Sequence, residues 1–186
     1  MDVEAHSITL ISIIVGLGLT EMFGNLHRLI RNRERVRWDA LPLAWVATLF
    51  LLVINYWWAL YLHLDGSTQA RTAAQMGVSL AAPILLFLAT ASVLPHFEPD
   101  EEWDMRRHYD RQRKVFILTF ALYQVCTFTT ALIVGSMSWD YLAVVRVVIF
   151  ALLVSTLATN NRRWDWAAVL AIFAFLCVRL TMQVVR

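Results

Sequence analysis

Three polar side chains interrupt the first apolar run of the chain, SITLISIIVGLGLTEMFGNLHRLI, which starts at Ser7. They are Glu21, Asn25 and His27. Ionisable groups are costly in hydrocarbon, so within a membrane they usually face protein or water and mark functional sites. A carboxyl such as that of Glu21 can carry a proton or coordinate a cation there. The structural alternative is a neutral Glu21 that is hydrogen-bonded to a neighbouring helix.

Gln124 is expected at the same depth as Glu21. At 1.5 Å per residue, each of these two residues lies about 13 Å from the inner end of its own helix. Asn25 follows Glu21 by one helical turn and points the same way. We therefore expect Glu21, Asn25 and Gln124 to form an inner polar layer.

A second polar layer is expected nearer the outer surface. Asn55, Arg146 and Arg179 each lie about 20 Å from the inner ends of their helices. Either arginine can snorkel outward, and this interpretation is favoured for Arg179, which is close to the C-terminus. If both arginines face the interior instead, they form a cationic outer vestibule suited to an anion.

Motifs for other site chemistry are missing from the sequence. It carries no Walker phosphate loop, His-Glu-x-x-His pair, Cys-x-x-Cys or Gly-x-Ser-x-Gly. Cys126 and Cys177 lie in apolar runs without metal-ligand spacing, which indicates buried packing. A haem between His27 and His96 is a weaker alternative to histidines that cap helix ends. We therefore expect no catalytic residue, metal, cofactor or nucleic-acid partner.

The composition indicates lipid as the solvent. Hydrophobic residues make up 59% of the 186 residues and charged residues 16%, whereas a soluble domain carries roughly a quarter charged residues. A spanning helix needs roughly 20 mostly apolar residues. Six segments meet this length, at about 7–30, 41–63, 76–94, 115–137, 141–159 and 165–184. The sequence predicts one all-α transmembrane domain, a polytopic bundle of six helices.

The basic residues predict how the bundle is oriented. Twelve of the 16 Lys and Arg residues fall in the connections that follow the first, third and fifth segments. These are Arg28, Arg31, Arg33, Arg35, Arg37, Arg106, Arg107, Arg111, Arg113, Lys114, Arg162 and Arg163. The opposite side has Arg71 and Arg186. Because an excess of Lys and Arg marks cytoplasmic loops, both termini are expected outside.

Helix starts carry their own signals. The dipeptides Trp38-Asp39, Trp139-Asp140 and Trp164-Asp165 each precede an apolar run. Asp accepts hydrogen bonds from the free amides of a first helical turn, and Trp favours the membrane interface. We therefore expect each pair to cap and anchor a helix.

Segment 96–114 carries acids at its start and Arg or Lys four residues later, so it is expected to form an amphipathic cytoplasmic helix.

Small residues recur every four positions along the first helix. They are Ser12, Gly16, Thr20 and Gly24. Residues of this size allow two helices to approach closely. The spacing predicts a packing seam, either within the subunit or between copies in a homo-oligomer.

The N-terminal third also carries a resemblance. The pattern Gly-Leu-Gly-Leu-Thr-Glu over residues 16–21 is followed by an Arg run and by Trp-Asp, which leads to a second helix that ends in Tyr-Trp-Trp. This pattern, over roughly residues 7–63, resembles a class of small, uncharacterised bacterial polytopic membrane proteins. The resemblance implies a bacterial inner-membrane location and brings no known activity.

Two functions remain open from the sequence. The two polar layers favour a small channel or transporter of unknown solute. The alternative is a non-transporting sensor or assembly subunit whose basic loops dock a cytoplasmic partner or anionic lipid, at about 1 kcal/mol per basic residue near the surface. An intramembrane enzyme has the least support because no nucleophile–base pair is evident.

Overall fold

The computed structural model of the chain describes residues 3–63, 73–95, 103–133, 141–159 and 161–184. Within these ranges the chain is almost entirely helical, which confirms the predicted all-α class. The six helices are α1 (Val3–Arg31), α2 (Ala40–His63), α3 (Ala73–Ser92), α4 (Met105–Ile133), α5 (Tyr141–Thr159) and α6 (Arg162–Val184). Two short strands, β1 (Val36–Arg37) and β2 (Trp103–Asp104), and a 3₁₀ turn over Arg33–Arg35 complete the fold.

Four of the helices contain stretches that are long and apolar enough to cross a membrane. These stretches are Ile8–Arg31, Ala40–Ala59, Met105–Leu132 and Arg162–Thr181. The apolar stretches found in α3 and α5, Leu80–Ser92 and Val144–Thr159, are shorter. The described part of the chain is therefore a helical bundle of the membrane type.

Three connections meet at one end of the bundle. Strands β1 and β2 pair in parallel, with Val36 opposite Trp103, so the α1–α2 connection lies beside the start of α4. Asp39, just before α2, forms an ion pair with Arg162 at the start of α6. The end where α2, α4 and α6 begin is called the basic end below, because the twelve basic residues of these connections lie there.

The helices are arranged in a ring. Neighbours around the ring are α1, α3, α4, α5, α6 and α2, and a smaller contact between α2 and α1 closes it. Helix α3 thus packs between α1 and α4. Each helix keeps a large apolar side chain on its outer surface, as a helix in contact with lipid does. Examples are Leu17, Phe50, Ile84, Leu118, Val147 and Leu170.

Helix α1 approaches α3 through Gly18. A Cβ atom at this position would lie 2.7 Å from the Thr90 Oγ1 and 3.3 Å from the Phe87 Cα, so only glycine fits. Gly16 and Gly24 of the predicted seam have open space where a Cβ would stand. The seam of Ser12, Gly16, Thr20 and Gly24 therefore lies off the main α1–α3 contact, and its use between copies stays a prediction.

Helix α4 includes part of the predicted amphipathic segment. Its first turns, from Met105, form the second half of the predicted amphipathic segment 96–114 and continue unbroken into the apolar part. The Asp104 Oδ1 caps this start by accepting from the Arg107 backbone N–H at 3.0 Å. Residues 96–102 lie outside the described residues.

The Trp-Asp pairs have different outcomes. Asp39 caps α2 as expected, because its Oδ1 accepts from the Leu41 backbone N–H at 3.0 Å. The cap predicted for Asp165 is wrong. This residue lies inside α6, and the Asn161 Oδ1 caps that helix by accepting from the Arg163 N–H at 3.0 Å. The Trp139-Asp140 pair lies outside the described residues.

Candidate functional site

A buried ion pair joins three helices near the basic end. Arg113 of α4 is 4% exposed and Asp165 of α6 is 1% exposed. The Arg113 Nε and Nη2 groups donate to the two Asp165 carboxylate oxygens at 2.7 and 2.8 Å. The Nη2 group also donates to the Thr156 carbonyl of α5 at 2.6 Å. A single guanidinium therefore links α4, α5 and α6.

An aromatic pair extends this connection to α2. The Trp45 Nε1–H donates to the Tyr109 hydroxyl at 3.0 Å, and both side chains are buried. The Tyr109 hydroxyl in turn interacts with the Asp165 carboxylate. Trp45, Tyr109, Arg113, Thr156 and Asp165 are called the basic-end network below. Buried charges persist only when they are paired and hydrogen-bonded, and this network meets both conditions.

Sequence reasoning missed this network. The loop-charge pattern assigns Arg113 to a cytoplasmic connection, and the Trp-Asp pattern assigns Asp165 to a helix cap. The signal that could have found Arg113 is its place in the series Tyr109, Arg113, Phe116, Phe120 and Tyr123, whose alternating spacing of four and three follows one buried helix face. A charged residue within such a series must face the interior, where it needs a partner.

The residues of the predicted inner layer are only partly brought together. The Asn25 Nδ2 donates to the Glu21 Oε1 at 3.1 Å, one turn apart on α1. Asn25 is buried, whereas Glu21 is half-buried. Gln124 belongs to α4, and α3 packs between α1 and α4. The place of Gln124 in the inner layer therefore stays a prediction.

Two residues of the predicted outer layer share a level in the bundle. The Asp39–Arg162 ion pair fixes the starts of α2 and α6 side by side. From those two residues, Asn55 lies about 24 Å along α2 and Arg179 about 26 Å along α6 at 1.5 Å per residue. Since α2 packs against α6, Asn55 and Arg179 reach the same height.

Arg146 reaches a similar level from the opposite direction along its helix. The contact of Arg113 with Thr156 sets α4 beside the antiparallel α5. Tyr123 lies about 15 Å beyond Arg113, and Arg146 lies about 15 Å from Thr156 in the same direction. Both Arg146 and Arg179 interact electrostatically with the buried Tyr123 hydroxyl. Asn55, Tyr123, Arg146 and Arg179 are called the distal cluster below.

Aromatic side chains fill the space between the basic-end network and the distal cluster. The Trp45 ring lies 5.1 Å from the Phe116 ring and 5.9 Å from the Phe120 ring, centroid to centroid. Phe120 continues to Tyr123 at 6.2 Å, and Tyr123 meets Tyr56 at 6.3 Å. Leu49, Leu153 and Leu176 from the neighbouring helices are buried around this column. The two polar groups are therefore separated by a packed apolar interior.

The described residues offer no metal site of three or more His, Cys, Asp or Glu side chains. Fold and polar groups together define a class: an all-helical bundle of the membrane type, with a charged network near one end and an arginine-bearing cluster further along. No protein family model, curated protein or solved structure matches the chain.

The buried ion pair predicts a large difference between two arginines of the same helix. Arg113→Met leaves the Asp165 carboxylate buried without its partner, which costs about 3–5 kcal/mol in the free energy of unfolding. Arg111→Met, at an exposed position two residues earlier, is expected to change it by less than about 0.5 kcal/mol. Unfolding of the detergent-purified protein, followed by circular dichroism, measures both.

A double variant separates the loss of the pair from a loss of packing. Arg113→Met combined with Asp165→Leu removes both charges, so most of the lost stability is expected to return. A double variant as unstable as Arg113→Met alone would contradict the assignment of the cost to an unpaired carboxylate.

Proposed function

We propose that all six helices cross a bacterial inner membrane and that both termini face outward. Three features support this topology. The helices alternate in direction, the twelve basic residues share one end, and every helix carries outward-facing apolar side chains. Because Lys and Arg accumulate on the cytoplasmic side of inner-membrane proteins, the basic end then faces the cytoplasm.

We infer that the protein is a non-transporting assembly subunit that docks an acidic cytoplasmic partner at its basic end. Ten of the twelve basic residues there are exposed. The pairing of β1 with β2 is the single observation that carries the inference. It holds the stretch of Arg33, Arg35 and Arg37 beside the first turns of α4, which carry Arg106, Arg107 and Arg111.

This juxtaposition goes beyond what membrane orientation requires. Basic residues set topology by their number near the helix ends, whatever their mutual arrangement. The parallel strand pair instead brings two basic stretches together in one basic surface, in which Glu34, Asp104 and Asp110 are interspersed. Complementary charge of this kind raises the rate and specificity of association with an acidic partner. The aromatic packing between the basic-end network and the distal cluster is consistent with a role in docking.

Charge reversal on α4 tests the docking function. The triple variant Arg106→Glu, Arg107→Glu and Arg111→Glu is expected to abolish co-purification of a stoichiometric acidic protein from crosslinked membranes. The matched triple replacement by Lys keeps the charge and is expected to retain the partner. A topology reporter fused to each variant checks that insertion is unchanged.

Three outcomes would contradict the docking function: a partner that survives charge reversal, a partner lost from the Lys triple variant as well, or no stoichiometric protein in the parent. Retention of anionic lipid in place of protein would reassign the basic surface to the bilayer.

The second candidate function is a channel or transporter, and the distal cluster favours it. Asn55 and Arg179 lie at one height, and Arg146 lies about 6 Å nearer the basic end at 1.5 Å per residue. The Glu21–Asn25 pair on α1 could act nearer the basic end. A solute passing between them has to displace the aromatic column around Phe116 and Phe120.

Liposome flux measurements test transport. If this function holds, reconstituted parent protein conducts a solute, and Glu21→Gln and Arg146→Ala each reduce the flux. Unchanged flux in both variants, or none in the parent, would contradict it.

A further inference from the structure

A second ion pair at the basic end joins the starts of α2 and α6. Arg162 of α6 donates to both carboxylate oxygens of Asp39, which lies just before α2. The apolar stretches of these two helices begin at Ala40 and at Arg162 itself. In the membrane topology proposed above, the pair therefore lies where hydrocarbon meets the phospholipid headgroups.

Two exposed tryptophans flank this pair along the chain. Trp38 directly precedes Asp39, Trp164 follows Arg162 by two residues, and each tryptophan is 44% exposed. Tryptophan side chains favour the interface between hydrocarbon and headgroups. Because the ion pair holds the two helix starts together, both tryptophans lie at one place. Trp38, Asp39, Arg162, Arg163 and Trp164 are called the α2–α6 junction below.

One positive charge of the junction has no carboxylate partner. The charge of Arg162 is balanced by Asp39. Asp165, which follows on α6, is already paired with Arg113. Arg163 is exposed, and its guanidinium contacts no carboxylate among the described residues. The Arg162 Nη1 group is also buried without a hydrogen-bond acceptor in the described part of the chain. The junction therefore offers one positive charge and one further donor to a ligand.

We propose that the α2–α6 junction binds the headgroup phosphate of one anionic phospholipid. The planar guanidinium of Arg163 matches the oxygen atoms of the phosphodiester and balances its single negative charge. The Arg162 side chain is 32% exposed, so a small rotation brings its Nη1 group to the same phosphate. The two indole rings contact the glycerol and the upper acyl chains. The site rests on the proposed membrane topology and not on the docking function.

Depth in the membrane separates this site from the first turn of α4. The bidentate contact places Arg113 level with Asp165. At 1.5 Å per residue, Arg163 lies about 3 Å beyond that level toward the basic end, whereas Arg106 lies about 10 Å beyond it. Arg163 therefore stays at the headgroups, while the start of α4 extends further into the cytoplasm, where a protein can reach it.

Native mass spectrometry of the full chain in detergent, titrated with phosphatidylglycerol or phosphatidylcholine, tests the proposal. The parent is expected to bind its first phosphatidylglycerol more tightly than phosphatidylcholine, whose ammonium group opposes Arg163. Arg163→Gln is expected to bind phosphatidylglycerol about fivefold more weakly, the effect of one basic residue near a headgroup, and to lose the preference. Arg111→Gln is the matched control, because Arg111 is exposed at the same depth on α4, and is expected to bind like the parent.

A second variant tests the indole contact. Trp164→Leu keeps every charge and is expected to weaken phosphatidylglycerol binding, and unchanged binding would overturn the role given to Trp164. Equal binding of the two lipids by the parent, or equal losses in Arg163→Gln and Arg111→Gln, would overturn the proposal.

Failure of this site is distinguishable from failure of the proposed function. Lipid binding in detergent depends neither on which side the basic end faces nor on a protein partner, so it is measured whatever the topology reporter and the co-purification show. Arg163→Gln is also expected to retain the acidic protein in crosslinked membranes. Loss of that protein, with phosphatidylglycerol binding unchanged, would overturn the lipid site and assign Arg163 to docking.

Discussion

The hydrogen-bonded ion pair between Arg113 and Asp165 is the constraint on which the bundle depends. Neither group reaches water, so each charge must be satisfied inside the protein or the helices separate. The bidentate contact and the bond to the Thr156 carbonyl satisfy this condition and fix α4, α5 and α6 relative to one another. Tyr109 and Trp45 extend the same constraint to α2. The helical register on which both proposals rest follows from these contacts.

The position of this pair also divides the molecule into two parts. On the side of this pair that faces the distal cluster, Phe116 and Phe120 pack against Trp45 and fill the interior. The arginines discussed above therefore fall in two places, the basic end and the distal cluster. The first includes the basic surface, in which a strand pair joins two basic stretches. The second gathers two arginines around Tyr123, on helices whose relative height the network and the Asp39–Arg162 pair determine.

Sequence patterns predicted what depends on local spacing. Apolar runs predicted the all-helical class, and the one-turn spacing predicted that Asn25 lies beside Glu21. Counting loop charges failed for Arg113, because such a count contains no information on which side chain turns inward. Helix rotation also explains why Gly18, and not Gly16, meets α3. The β1–β2 pair joins residues that are far apart in the chain. A two-residue strand has no sequence pattern long enough to predict such a pairing.

The central claim, that a dry interior separates the basic-end network from the distal cluster, is tested most directly by thiol reactivity. Ala121 is buried on α4 between these two groups, and Arg107 is exposed at the basic end. Ala121→Cys and Arg107→Cys are each placed in a background without Cys126 and Cys177 and treated with a membrane-impermeant maleimide in proteoliposomes opened to both sides. Because a thiol reacts through its thiolate, which needs water, we predict labelling at position 107 and none at position 121. Labelling of Ala121→Cys at a rate comparable to that of Arg107→Cys would contradict the account.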